Sequence, residues 1–382
     1  MTLNTAPIVS VQLFDIDEIR RLAREQLLPL ATSPGSAHGV NRVLVKGLAD
    51  CGLLPCLFPS SLGGSGNLSG VDAVTLCRLR EGLAYEMTEA ESALALQGLG
   101  SYPILQSGSN ALRERWIPEV AAGRAIAAFA LSELESGSDA AALACVAVPD
   151  GSGFRLSGVK RWISNAPDAD VYTVFARTGE AGPRGVTAFV VSGDSPGVSG
   201  KALDMVAPHA IGELELDGVF VERDDVLGDL GGGFKVAMRT LDLFRPSVGA
   251  FAVGMAEAAL DRSIAYASQR EAFGQPIREF QAISHRLADM ATKIQAARLL
   301  VYCAAEAYNA QSPDVTKLSA MAKLFATEAA QEVVDCAVQI HGAAGLQRGH
   351  PIELAYREVR APRIYEGTSE IQRTIIARQL FR

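Results

Sequence analysis

Histidine and cysteine are scarce in this chain, and neither is clustered. The five histidines, His38, His209, His285, His341 and His350, have no acid and serine partners at a spacing that marks a hydrolytic triad, and no G-x-S-x-G elbow is present. The six cysteines, Cys51, Cys56, Cys77, Cys145, Cys303 and Cys336, form no C-x-x-C pair and have no histidines at zinc-ligand spacing. No metal site is expected, and the thiols read as reduced and buried. No run approaches the roughly 18 uninterrupted apolar residues of a membrane-spanning helix. The opening stretch, MTLNTAPIVSVQLFD, lacks a basic segment followed by an apolar one, which argues against a secretory signal and for a cytoplasmic protein. A dinucleotide fingerprint is missing too: GLGSYP at 98–103 has no third glycine and no preceding strand. GDLGGGFK at 228–235 misses the P-loop spacing and reads as a turn into a helix. Acidic residues outnumber basic ones, 43 to 35, and the net charge of -8 speaks against nucleic acid or an anionic membrane as the main partner.

What is present is a soluble globular composition, 48% apolar and 20% charged, over 382 residues. That exceeds the roughly 250 to 300 residues over which one core keeps growing, so several packed substructures are expected. Residues 1–125 read as helical: FDIDEIRRLAREQLLPLA keeps Phe14, Ile16, Ile19, Leu22, Ala23 and Leu27 near one side of a helix. Across 126–228 the period shifts towards two in GFRLSGVKRWISN, DVYTVFART, GVTAFVVSG and IGELELDGVFVERDDVL, which predicts a small antiparallel barrel or sandwich. From 229 to 382 the helical signal returns in four long segments, 234–268, 280–310, 315–344 and 368–381, several of them apolar on more than one side. The predicted fold is α+β: an N-terminal helical domain, a central β domain and a C-terminal four-helix bundle.

One short stretch, RIYEGTSEIQR at 363–373, sets an acid between an aromatic ring and a glycine just ahead of a helix start. Taken alone, Ser369 and Gln372 match a capping box, and Glu366 is then an acid favoured by the helix dipole by about 0.3 to 1 kcal/mol. Other polar stretches are scattered along the chain: AFALSELESGSD at 128–139, GVKRWISNAPDAD at 158–170, SQREAFGQPIREFQ at 268–281 and QIHGAAG at 339–345. His341 in the last of these reads as a packed or hydrogen-bonding histidine.

In this order and at these separations, the stretches resemble those of the acyl-CoA dehydrogenase family, from about residue 20 to the C-terminus. The resemblance implies the same helix, β, helix architecture, non-covalent FAD, a homotetramer, and desaturation of acyl thioesters between the α and β carbons. It implies that Phe129, Leu131, Ser132, Gly137 and Ser138 lie beside flavin and thioester, with Trp162 and Ser164 flanking the flavin ring. Arg270, Phe273 and Gln281 would reach the FAD of a neighbouring subunit, Gln339, Gly342 and Ala343 would approach the pyrophosphate, and Thr368 would touch the cofactor. Asp242 and Arg245 in LDLFRP match positions near the CoA moiety; read alone, they are a helix-surface ion pair. YEGT coincides with the family's catalytic-base stretch, so Glu366 is implied as the base that removes the α proton while hydride passes from the β carbon to flavin N5. Tyr365 would shield one side of it and Gly367 would let chain and substrate approach.

The chain departs from the family pattern at Leu134, where a proline is common, at Ala343, which replaces a glycine, and at Ala95, which fixes no chain length. Three readings follow: an acyl-CoA dehydrogenase of fatty-acid or branched amino-acid metabolism, with an electron-transferring flavoprotein as oxidant; a relative acting on a thioester held by an acyl carrier protein, or a flavin oxidase; and a non-catalytic flavoprotein-like subunit, which the presence of Glu366 argues against.

Overall fold

The computed structural model describes residues 15–31, 39–66 and 70–381; Phe14 and His38 lie outside them. Helices come first: α1 Ile16–Leu22, α2 Arg42–Asp50, α3 Ala73–Glu86, α4 Thr88–Ser107 and α5 Asn110–Ala121. Asn41, Asp72 and Ser109 start α2, α3 and α5, each accepting the backbone N–H three residues on, which satisfies a donor the first turn leaves free. Ile19, Leu22, Ala23 and Leu27 are buried as their spacing predicts, although 23–27 winds as a π-helix.

Strands follow: β1 Ala127–Ala130, β2 Val146–Asp150, β3 Gly153–Ser164, β4 Val171–Arg177, β5 Val186–Ser192, β6 Val198–Ala202, β7 Ile211–Glu222 and β8 Val226–Leu227. They form one sheet in the order β6-β7-β3-β2-β4-β5-β8, with β1 joined to β4. The expectation of a purely antiparallel sheet is corrected in two places, because β1 and β2 both pair with β4 in parallel. β1 enters from the helical region and must run beside β4 to bring its far end to the bulged end of β3.

The C-terminal region holds α6 Gly233–Gln269, the two-residue strands β9 Glu271–Ala272 and β10 Gln275–Pro276, then α7 Gln281–Asn309, α8 Val315–His341, α9 Pro351–Glu358 and α10 Ser369–Leu380. The expected third long segment ends at His341, where Gly342 takes φ +59 and a 3-10 turn begins. The short α9 has no counterpart among the four expected segments.

At 37 residues α6 is about 55 Å long, from the 1.5 Å rise per residue. It packs against α3, α4, α7, α8 and β5. Pro246 sits inside it without an N–H, which leaves the Asp242 carbonyl short of its helical donor; the Ser319 hydroxyl of α8 supplies one at 2.9 Å. Two glycines permit its closest approaches. A Cβ on Gly233 would lie 2.5 Å from the Ala188 nitrogen of β5, and one on Gly254 would lie 2.3 Å from the Glu81 carbonyl of α3. A single hydrophobic cluster includes Leu44 and Leu76, Phe175 and Phe189, and Phe244 and Val333, one pair from each region. All six cysteines are free; Cys77 and Cys145 are buried as expected, whereas Cys303 is exposed.

Candidate active site

Glu366 stands on a turn between a 3-10 segment, Ala361–Arg363, and α10. Its backbone takes φ +53 and the next residue, Gly367, takes φ +93. A non-glycine residue in the left-handed region persists where its surroundings over-determine it. Here they do so through the backbone carbonyls. Gln372 Nε2 donates to the Glu366 and Gly367 carbonyls at 3.1 and 2.9 Å, Lys323 Nζ donates to the Gly367 carbonyl at 2.7 Å, and Arg245 Nε reaches the Glu366 carbonyl at 3.4 Å. The expected capping box is therefore corrected. Thr368 caps α10, its hydroxyl accepting from the Ile371 N–H at 3.3 Å, while Ser369 donates to Glu328 and Gln372 is spent on the turn.

Glu366 is half-buried as a residue, and its Oε2 is buried and has no hydrogen-bond partner among the described residues. Burial raises its pKa above the ordinary carboxylate value, opposed by the cations Arg80, Lys323 and Arg245 and assisted by the anion Glu91. Beneath it lies a buried ion pair, Arg80 of α3 with Glu91 of α4, and Arg80 Nη1 also donates to Ser247 of α6 at 2.8 Å. Asp242 and Arg245 do pair, at 3.0 Å, but as a largely buried couple whose acid also accepts from Thr316; the helix-surface reading is corrected. Tyr365 keeps about a third of its surface exposed, at 36%. Arg80, Glu91, Lys323 and Ser247 were missed in the sequence, and Gln372 was read there only as a capping residue. The one signal was charge on otherwise apolar helix faces, as with Arg80 beside Leu76, Leu79 and Leu83.

A second group gathers where β1 meets the end of β3. Glu133 anchors the 131–138 loop by accepting from Lys160 Nζ and the Ala144 and Cys145 N–H groups at 2.7, 2.6 and 2.9 Å. Lys160 also donates to the Leu131 carbonyl, and the Arg161 N–H to the Ser132 carbonyl. With Leu134 where a proline is common, Glu133 and Ser136 exchange both backbone hydrogen bonds of this turn. The β3–β7 register shifts between Arg161 and Ile163, and Trp162 on that bulge takes φ +57. A bulge re-aims the side chain it carries. Trp162 is 43% exposed, with Ser164 half-buried beyond it. Phe129 packs its ring 4.9 Å from Phe175, while Gly137 and Ser138 are exposed.

A third group surrounds a cavity of ≈ 390 Å³ lined by Arg270, Gly342, Ala343, His341 and Tyr266. His341 is packed as expected, its Nδ1 2.8 Å from the Ala337 carbonyl and its ring stacked on Tyr266 at 4.5 Å. Arg270, Phe273, Gln281 and Gln339 are exposed, Phe273 at 96%. No hydrogen bond among the described residues joins this group to the Trp162 loop.

These groups fit the FAD that the resemblance implies. An exposed indole on a bulge can cover one ring face, and the open backbone at Gly137 and Gly342, where a Cβ would meet nothing within 4 Å, leaves amides approachable. Among the described residues no His, Cys, Asp and Glu cluster could hold a metal, and no helix is long and apolar enough to cross a membrane.

Comparison with known proteins agrees along the whole chain. The acyl-CoA dehydrogenase N-terminal, middle and C-terminal domains match residues 15–124, 128–219 and 231–381. A cyclohexane-1-carbonyl-CoA dehydrogenase of Geobacter metallireducens is 38% identical over 369 residues, covering 96% of each chain. The structure of butyryl-CoA dehydrogenase from Megasphaera elsdenii superposes with a TM-score of 0.91 at 33% identity over 100% of both chains. The prolyl acyl carrier protein oxidase AnaB is similar too, with a TM-score of 0.87 at 27% identity over 96% of this chain and 98% of its own. With three domain matches in series, a helix–sheet–helix fold shared with solved dehydrogenases and a buried acid on the turn, the chain belongs to the acyl-CoA dehydrogenase family and is an FAD-dependent oxidoreductase.

Proposed function

We propose that the protein desaturates an acyl-CoA between its α and β carbons, with Glu366 as the base that removes the α proton. The observation that carries this reading is the buried, unpartnered Oε2 of Glu366 on a left-handed turn held by side chains from three helices. An α proton beside a thioester is weakly acidic, so its removal needs a carboxylate of raised basicity pressed against the carbon in a dry site. Burial gives Glu366 that basicity. Its own backbone N–H can donate to the thioester oxygen, where charge develops. Tyr365, Gly367 and Ser138 would border the thioester, and Asp242 and Arg245 would lie towards the CoA.

FAD, when bound, supplies the two-electron acceptor. Phe129, Leu131, Ser132, Gly137, Ser138, Trp162, Ser164 and Thr368 would hold it from the same chain. Arg270, Phe273, Gln281, Gln339, Gly342 and Ala343 would serve a neighbour's FAD in a homotetramer. An electron-transferring flavoprotein is the expected oxidant, fatty-acid metabolism the expected setting, and the cytoplasm the expected compartment. Domain boundaries are placed after residues 125 and 228.

The likeness to the AnaB oxidase favours one alternative, a thioester carried by an acyl carrier protein with oxygen as acceptor. Anaerobic titration of the purified yellow protein with a panel of acyl-CoA and carrier-protein thioesters separates the two. Bleaching by a CoA ester, slow reoxidation in air and fast reoxidation by an electron-transferring flavoprotein are expected. Bleaching by carrier-bound substrates alone, or rapid reaction with oxygen, overturns the proposal in favour of the alternative.

A further inference from the structure

Glu366 is faced by charge from four helices: Arg80 from α3, Glu91 from α4, Arg245 from α6 and Lys323 from α8. Three of these are already engaged with one another or with the substrate end of the site. Arg80 is closed on Glu91 and Ser247, and Arg245 on Asp242. Lys323 is different. It is fully buried, it has no carboxylate hydrogen-bonded to it among the described residues, and the one hydrogen bond of its ammonium runs to the Gly367 carbonyl at 2.7 Å. A buried ammonium without a hydrogen-bonded anion is costly, and a neutral donor would serve a carbonyl equally well.

We propose that Lys323 is a positioning residue for Glu366: from α8 it fixes the left-handed turn through the Gly367 carbonyl and sets a positive charge beside the base. This rests on Glu366 being the base. Two consequences distinguish it from a residue that merely fills space. The hydrogen bond holds the carbonyl of Gly367, which sits at φ +93 directly after Glu366 at φ +53, so it braces the left-handed pair from α8. The charge opposes the burial that lifts the Glu366 pKa, so the base is ionised over a wider pH range than burial alone would allow. Around Lys323 itself stand Glu366, Arg245, Glu328 and Glu370, and burial brings its own pKa down to about 8, so it remains a cation through neutral pH.

The experiment uses the flavin-loaded protein with Lys323→Met, Lys323→Gln, Lys323→Arg and Glu366→Gln. Two quantities are read from pH 5 to 8: the anaerobic rate of flavin reduction by an acyl-CoA that reduces the parent, and incorporation of solvent deuterium at the thioester α carbon, which needs the base but no electron transfer. Reduction rises with pH as the base ionises. In Lys323→Met and Lys323→Gln the midpoint of that rise should move up by about half to one pH unit, as expected for loss of a nearby opposite charge. Deuterium incorporation should shift with it, and Lys323→Arg should restore the parental midpoint. Lys323→Gln retains a donor for the carbonyl, so it carries the test if Lys323→Met does not fold. An unmoved midpoint in the neutral variants, with rates lowered or not, overturns the role of Lys323 while leaving Glu366 in place. Parental reduction in Glu366→Gln overturns the base assignment, and the Lys323 proposal falls with it.

Discussion

Glu366, as the proposed base, carries two opposite expectations, one kinetic and one thermodynamic. In Glu366→Gln the amide cannot accept the α proton, while side-chain size and the carbonyl contacts of the turn are kept. Rapid-mixing absorbance should show flavin reduction slowed by about 10²- to 10⁴-fold, the usual contribution of a positioned proton acceptor. The same variant should be no less stable than the parent at neutral pH. A carboxylate whose folded pKa is raised gives stability that is fully present below the ordinary value of 4.5 and lost as pH rises through the folded pKa, so the neutral amide removes a cost. Thermal melts at pH 7 check this; a clear fall in melting temperature would restore the helix-capping view. Glu133 has the reverse sign. Lys160 and two backbone N–H groups hold its pKa below 4.5 despite burial, so its contribution is present above that value and disappears as pH falls through the lowered one. Lys160→Met should therefore leave a buried, less compensated acid and cost about 3 to 5 kcal/mol in denaturant titration at pH 7, with most of the difference gone in acid.

Between elements, the ion pair of Arg80 and Glu91 ties α3 to α4 under the turn. Arg80→Met strands Glu91, which is fully buried, and should lower stability by about 3 to 5 kcal/mol; Arg80→Met with Glu91→Leu should recover most of it, since a well-packed apolar pair often replaces a buried ion pair at little cost. Denaturant midpoints of the three proteins provide the measurement. The same region shows what could be read without coordinates. Helix and strand periods located the three regions, and YEGT located the turn that carries the proposed base, because an acid, a glycine and a helix start are contiguous and leave a local mark. Arg80 and Lys323 leave at most a charge on an otherwise apolar helix face: each becomes meaningful only when α3, α8 and α10 converge on one turn. The Trp162 bulge was hidden for a related reason. Its φ of +57 depends on a register shift against β7, and no residue type in RWIS announces one. Ser369 and Gln372 misled because a capping pattern and a turn clamp use the same amide side chain, and only the direction of Gln372 tells them apart.

At the scale of the whole molecule, the exposed Phe273 and Arg270 predict that flavin occupancy depends on association. Phe273→Ser should lower the light-scattering mass below that of the proposed homotetramer and lower the flavin-to-protein ratio together; a fully flavinated 40.3 kDa monomer would refute the arrangement. Within one chain, Gly233 meets the backbone of β5 and Gly254 meets that of α3, so α6 is fitted without clearance to both earlier regions. That fit bears on how such chains can be inherited. Although three domain matches lie in series and suggest cassettes, a recombination event that joined residues 231–382 to the first part of a relative would carry the two glycines and leave behind the surfaces moulded to them. Crossovers in this lineage should therefore survive only between chains that keep β5 and α3 at the same depth, and the three segments should share one ancestry.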